Sequence, residues 1–158
     1  MEIRDRAGTL LHSQDDKDRS FSDLNLNGAV MTNRRLEGYM FDGSNLTDAD
    51  LSGSDLYWVS MYRTNLTRAN LANAQLKGAN LEDAKLCDAN LQNTDLSHDN
   101  LGGGSTLKNA DLSGADLRGA NLSAADLSGA KMEGTRYDST TVFPADFEPS
   151  SQRMVCSG

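Results

Sequence analysis

The chain has 158 residues, of which 37% are hydrophobic and 24% charged, and this size favours a single domain. Its net charge of −8 disfavours direct binding to nucleic acid or to an anionic membrane, because both repel an acidic protein. Two cysteines, Cys87 and Cys156, are too few for a disulfide framework. No segment approaches membrane-spanning length, and the first residues lack the apolar run of a signal peptide. We therefore expect a cytoplasmic location.

Residues 1–20 are expected to form an N-terminal cap built around a hairpin. Two short segments, 2–6 and 9–12, flank Ala7 and Gly8, and this pair suits a tight turn. The charged residues of the segment would discourage other chains from pairing with its edge.

Between Phe21 and Val142 a bulky apolar residue recurs at every fifth position. Leu101 is followed in the series by Leu107, which indicates a one-residue insertion near 102–106. A period of five fits neither an α-helix nor a flat strand, because successive leucines would then point in different directions. The chain must therefore turn once per five residues, so that each bulky residue faces a shared interior.

A small residue lies two positions before each bulky one, and Asn or Asp separates the two, as in Ala69-Asn70-Leu71. Residues two apart on an extended segment share a face, so Ala and Leu point inward while Asn points outward. The remaining two positions are mostly polar or Gly, as a turn requires. Stacked Asp residues would repel, whereas intervening Asn residues can form a hydrogen-bonded ladder. One predicted outward column runs through Asp50, Asn70, Asn90 and Asp111.

The repeated motif A-[D/N]-L-x-x over residues 21–142 resembles that of the pentapeptide-repeat family. The resemblance implies an all-β fold, a right-handed quadrilateral β-helix with four sides per coil, about six coils and a cap at both ends. Such an interior, filled with leucine, leaves no cleft, and the two histidines, His12 and His98, suggest neither a catalytic group nor a zinc site. We therefore expect no enzymatic activity, no metal and no cofactor.

An aromatic segment breaks the polar surface pattern of the repeat. Trp58 occupies a corner position whose neighbours one coil away are Gly38 and Gly78, which leaves room for the indole to lie flat. Trp, Tyr and Arg often dominate binding energies, which favours an interaction site; the alternative is that Trp58 only covers glycine backbone. The candidate interaction patch consists of Tyr57, Trp58, Tyr62 and Arg63.

The insertion provides a second candidate site. Asp99 stands where a small residue would point inward, and an inward charge would be costly, so we expect the backbone to bulge and turn Asp99 outward. Members of the family place functional loops on otherwise regular coils, which favours a recognition loop; a harmless bulge is the alternative. The candidate loop residues are His98, Asp99, Gly102, Gly103 and Gly104.

Residues 143–158 depart from the repeat and resemble a closing segment found in many members of the family. Phe143 and Phe147 are expected to cover the last coil, with Pro144 and Pro149 removing hydrogen-bond donors from it. Residues 150–158 are expected to be mobile.

These features support two functions. The first is a non-enzymatic protein-interaction or scaffold module that binds an unidentified protein partner through an outer face of the solenoid. The second is protection of gyrase, a type II topoisomerase, by DNA mimicry, as in acidic, dimeric members of the family that confer quinolone resistance. The sequence shows no counterpart of their C-terminal helical dimerisation segment, and its outward charges are mixed in sign. We therefore expect a monomer and favour the first function.

Overall fold

The computed structural model describes residues 1–15 and 17–157. Asp16 of the predicted N-terminal cap and Gly158 of the predicted mobile tail lie outside the described residues. The regular elements are β1 (Glu2–Asp5), β2 (Leu10–Ser13), β3 (Ala29–Val30), β4 (Arg136–Tyr137), a short 3-10 helix (Pro149–Gln152) and β5 (Val155–Cys156).

Parallel single-residue bridges dominate the rest of the chain and define a β-helix. Asn45 pairs with Asn65, twenty positions later, and the same interval recurs in four separate columns, one for each side of the coil. Backbone hydrogen bonds run between neighbouring coils at each side; for example, the Leu46 N–H donates to the Asn65 carbonyl at 2.7 Å. Because each side is only a few residues long, the chain must turn between sides, and these turns fall at the two polar positions of each step.

The bulky residue of each step fills the interior. Leu71 and Leu112, for example, are wholly buried, and so are Ala69 and Ala110, which lie two positions before them. Where Ser or Thr replaces this alanine, its hydroxyl donates to a backbone carbonyl. Ser54 Oγ donates to the Met31 carbonyl of the preceding coil at 2.6 Å, and Thr94 Oγ1 donates to the Leu91 carbonyl of its own coil at 2.8 Å. Within the described residues, no buried side-chain nitrogen or oxygen lacks a hydrogen-bond partner. The interior therefore stays apolar without leaving polar groups unsatisfied.

The Asn and Asp residues between the two inward positions form the expected ladder. Asn70 Nδ2 donates to Asp50 Oδ1, and Asn90 Nδ2 donates to Asn70 Oδ1, each at 3.1 Å. The prediction was wrong about the next residue of the column, because Asn90 pairs with Asp116 and not with Asp111.

Asp116 follows Asn90 in this column as a buried carboxylate, 2% exposed, and Arg136 follows Asp116. Arg118 and Arg136 form ion pairs with it at 2.6 and 3.2 Å, and Gln92 Nε2 donates to it at 2.9 Å. The hydrogen bond from Arg118 is the main cause that lowers the pKa of Asp116 below its ordinary value. The burial of this charge is thus compensated by partners from three neighbouring coils.

The insertion is larger than the predicted single residue. Asn80 pairs with Thr106, 26 positions later, so this coil holds six residues more than its neighbours. Leu101, expected in the interior, exposes 79% of its surface, whereas Leu96 and Leu107 on either side are buried. A complete five-residue step together with one further residue has left the coil, and residues 97–104 form a surface loop.

A second irregularity lies near the C-terminus. Asn121 pairs with Val142, 21 positions later, so Val142 occupies an outward position and is 47% exposed, against the prediction that it points inward. The extra residue belongs to a turn in which Asp138 Oδ1 accepts the N–H groups of Thr140 and Thr141. Phe143 consequently packs against the core, and its ring stacks on that of Phe147 at a centroid distance of 5.0 Å.

Both ends of the β-helix carry added strands. At the N-terminus, β1 pairs antiparallel with β2 and with β3, and Ile3 of β1 is buried in the core. At the C-terminus, β5 pairs in parallel with β4, and the Val155 N–H donates to the Thr135 carbonyl at 2.8 Å. The described part of the segment expected to be mobile, 150–157, thus contains most of the 3-10 helix and β5, which pairs with β4; its mobility stays a prediction.

The contrast between two leucines of the same repeat phase gives a stability test. Leu71→Ala should lower the free energy of unfolding by about 2–5 kcal/mol, since it leaves a cavity in a close-packed interior. Leu101→Ala should change it by about 0.5 kcal/mol or less, since this side chain is exposed. Urea unfolding followed by circular dichroism measures both changes, and equal losses for the two variants would contradict the burial described above.

Candidate functional site

The structure brings the two candidate features together at one corner of the β-helix. Trp58 Nε1 donates a hydrogen bond of 2.7 Å to Asp99 Oδ2. The Tyr57 hydroxyl donates to Asn100 Oδ1 at 2.6 Å and accepts the Asn100 N–H at 2.8 Å. Half of the predicted patch and the predicted loop therefore form a single surface, although 41 or more positions separate their contacting residues.

Tyr57 and Trp58 are the two turn residues that follow the buried Leu56. Trp58 has a positive φ of 53°, a left-handed conformation that costs a bulky residue about 1–2 kcal/mol. Its indole lies over Gly78 of the next coil, as predicted: a Cβ atom added at Gly78 would stand 2.3 Å from Trp58 Cδ1. Trp58 nevertheless remains 41% exposed, and its indole N–H also contacts Asp99.

Asp99 organises the loop. Its Oδ1 accepts the N–H groups of Leu101 at 2.8 Å and Gly103 at 2.7 Å, while its own N–H donates to the Gly103 carbonyl. As predicted, the side chain lies outside the interior. The hydrogen bond from Trp58 is the largest cause that lowers the pKa of Asp99 below its ordinary value, and the loop N–H groups act in the same direction.

The loop exposes a large apolar side chain that the sequence analysis did not include among the candidate site residues. Leu101 shows 79% of its surface, the largest value among the exposed large hydrophobic residues of the described chain. Leu101 lies in phase with the buried leucines, so the repeat pattern predicted that it would be buried. Two signals could have indicated its exposure: Asp99 at an inward position and the three glycines that follow Leu101. Gly104 is needed where the loop rejoins the coil, because a Cβ atom there would lie 1.8 Å from the Ala124 carbonyl oxygen.

The other predicted residues lie in less specialised surroundings. Tyr62 and Arg63 occupy the next corner along the chain, where the Arg63 guanidinium lies 4.8 Å from the centre of the Tyr62 ring. Arg63 also forms an ion pair with Asp83 at 3.6 Å. His98 and Gly102 are exposed. We therefore define the candidate site, the loop corner, as Tyr57, Trp58 and residues 97–104.

The loop corner presents aromatic, apolar and amide groups. Over the part of the chain that the structure describes, no group of three or more His, Cys, Asp or Glu side chains could hold a metal ion. Nor does any helix within residues 1–15 and 17–157 have the length and apolar character needed to cross a membrane.

The four columns of parallel β-bridges and the single apolar interior that they enclose define a β-solenoid protein made of five-residue steps. The chain belongs to the pentapeptide repeat family, whose sequence model matches eight copies of the repeat over residues 20–57, 64–101 and 103–136. No curated protein sequence matches the chain.

Solved structures of other pentapeptide repeat proteins resemble this fold and imply a right-handed β-helix. HetL, involved in heterocyst differentiation regulation in Nostoc sp. strain PCC 7120, is 28% identical with a TM-score of 0.55; the match covers 75% of this chain but 63% of HetL, which is less than two thirds of that protein. Rfr23 from Cyanothece 51142 is 26% identical with a TM-score of 0.54, over 79% of this chain and 91% of Rfr23. QnrB1, a plasmid-mediated fluoroquinolone resistance protein, is 16% identical with a TM-score of 0.37, and the match covers 88% of this chain and 80% of the QnrB1 chain.

The contact between Trp58 and Gly78 can be tested by adding one methyl group. Gly78→Ala should displace the indole and shift the fluorescence of Trp58, the only tryptophan of the chain. Gly28→Ala is the matched control. The φ angle of Gly28 is +68°, close to the +66° of Gly78, but a Cβ atom added at Gly28 would have no other atom within 4 Å. The control variant shares the backbone strain and should keep the emission of the unmodified protein; a shift of the same size in both variants would contradict the contact.

The lowered pKa of Asp99 predicts how the loop responds to acid. A carboxylate whose pKa is lowered on folding contributes stability that is fully present above its ordinary value of 3.8 and is lost as the pH falls through the lowered value. The emission of Trp58 should therefore stay constant from neutral pH to about pH 4 and change below it. The Asp99→Asn variant should lack this acid transition, and its persistence in that variant would assign the transition to another group.

Proposed function

We propose that this chain is a non-enzymatic protein-interaction module that binds a protein partner through the loop corner. The observation that carries the proposal is Leu101, a leucine that is 79% exposed on a loop held by four hydrogen bonds. The Asp99 carboxylate accepts the Leu101 and Gly103 N–H groups and the Trp58 indole N–H, and the Tyr57 hydroxyl accepts the Asn100 N–H. Single exposed apolar groups are common on protein surfaces. One that is carried on an inserted, internally bonded loop, to which an exposed Trp is also bonded, supports a surface shaped for contact.

The rest of the molecule fits the role of a support for this surface. In this proposal the chain is a monomeric rod of about six coils, closed at both ends by the added strands, and located in a reducing cytoplasm where Cys87 and Cys156 remain thiols, as they are in the structure. HetL is involved in the regulation of differentiation, and a regulatory protein acts through partners; the match to 63% of HetL supports the same general class of role.

DNA mimicry directed at gyrase has weaker support. The net charge of −8 favours it. However, basic residues neutralise many of the outward carboxylates: Lys77 pairs with Asp95 at 3.0 Å, and Arg68 pairs with Asp48 at 2.7 Å. A phosphate backbone presents uninterrupted negative charge, which these pairs break up.

The proposal is tested by capturing partners from a lysate of the native host on the immobilised chain. Leu101→Ser should reduce the captured amount of a specific partner about tenfold or more, as expected when a central apolar contact is lost. Val142→Ser is the matched control, because Val142 is also an exposed large hydrophobic residue, at 47%, but lies outside the loop corner.

The comparison is quantified by mass spectrometry of the captured proteins. Proteins lost with Leu101→Ser and retained with Val142→Ser are the expected partners. Should every captured protein bind the two variants equally, the loop corner is not the binding surface. Capture of gyrase, combined with protection of its supercoiling activity, would favour the second function instead.

A further inference from the structure

We propose that Asp99 is a positioning residue, which holds Leu101 in one presenting conformation so that it enters an apolar socket on the partner protein. The inference rests on the proposed function and adds to it the chemistry of the partner's surface and the means by which the loop is prepared for binding.

The carboxylate of Asp99 joins two parts of the chain that are distant in sequence. One oxygen accepts the Trp58 indole N–H from the neighbouring part of the corner, and the other accepts two N–H groups of the loop itself. One of these two is the N–H of Leu101, the residue whose side chain is most exposed. The backbone of Leu101 is therefore held at the point from which its side chain projects.

Tyr57 supplies a second attachment next to the first. Its hydroxyl both donates to the Asn100 side chain and accepts the Asn100 N–H. Three consecutive residues, 99 to 101, are thus each bound to the coil or to the loop. A flexible loop containing three glycines would lose conformational entropy on binding, and these attachments remove part of that cost before the partner arrives.

The composition of the loop indicates what the partner offers. Residues 97–104 contain one acidic residue, Asp99, and both of its oxygens are engaged by Trp58 and the loop backbone. The projecting side chain is a leucine, and Trp58 of the same loop corner is also partly exposed. A complementary surface therefore needs an apolar socket for Leu101 and need not supply a basic group to Asp99.

The positioning role can be measured in the purified chain without any partner. Trp58 gives the only indole N–H signal in a nitrogen-15 NMR spectrum. In Asp99→Asn the carboxamide keeps the shape of the side chain but turns an NH₂ group either toward the Trp58 indole N–H or toward the Leu101 and Gly103 N–H groups. We expect solvent exchange of the indole N–H, or of the Leu101 and Gly103 amides, to become about tenfold faster, as for the loss of one hydrogen bond to a charged group.

Two further variants isolate the effect. Asp146→Asn makes the same change outside the loop corner and should leave these signals unaltered. Trp58→Phe keeps an aromatic ring but removes the donor, and should increase the exchange of the Leu101 and Gly103 amides. Fast exchange of these amides already in the unmodified chain would show that the loop is not held, and would overturn the inference whatever the chain captures.

The capture experiment then tests the link to binding. Asp99→Asn retains Leu101 but should capture the partner several-fold less than the unmodified chain, whereas Asp146→Asn should capture it equally well. Full capture by Asp99→Asn, or a partner that proves to be a second copy of this chain, would contradict the inference. If the amides are protected but nothing specific is captured, the proposed function fails and the apolar socket fails with it, while the positioning of the loop by Asp99 remains established.

Discussion

The register of hydrogen bonds between neighbouring coils is the constraint on which the rest of the structure depends. Outside the insertion at residues 97–104 and the extra residue before Val142, each coil pairs with the next at an interval of twenty residues on all four sides. This interval keeps every bulky residue above another bulky residue, and every Asn or Asp above its counterpart. The dry interior, the turns and the side-chain ladder Asp50–Asn70–Asn90 follow from this one interval.

An insertion in such a coil must leave the register of the following coils intact, because a shift would carry leucines to the outside. The chain meets this requirement at residues 97–104 by expelling six residues at a corner, where the backbone already turns, and by resuming the columns at Thr106. The expelled segment lies beside Gly78, whose missing side chain leaves room for Trp58 to reach Asp99. Accommodation of the insertion and formation of the loop corner are therefore one structural event.

The five-residue spacing was sufficient to predict the family, the β-helix and most of the buried residues, because each buried position repeats the same local chemistry. It failed at Leu101 and at Asp111 for one reason. An insertion of one residue and an insertion of one step plus one residue leave the later leucines in the same phase, so spacing cannot distinguish them. Val142 was misplaced because the extra residue there is set by hydrogen bonds to Asp138, and similar turns are common in the repeat. The contact of Trp58 with Asp99 depends on how the loop folds back, and a local pattern carries no information about that.

Hydrogen-bond scalar couplings across the coil that carries the insertion test the account most directly. The Leu91 N–H donates to the Asp116 carbonyl at 2.8 Å. A coupling between the Leu91 nitrogen and the Asp116 carbonyl carbon, in a deuterated sample, is the predicted result. A coupling from Leu91 to the Asp111 carbonyl carbon instead would mean that Leu101 lies inside the coil, that a single residue is inserted, and that the loop corner does not exist.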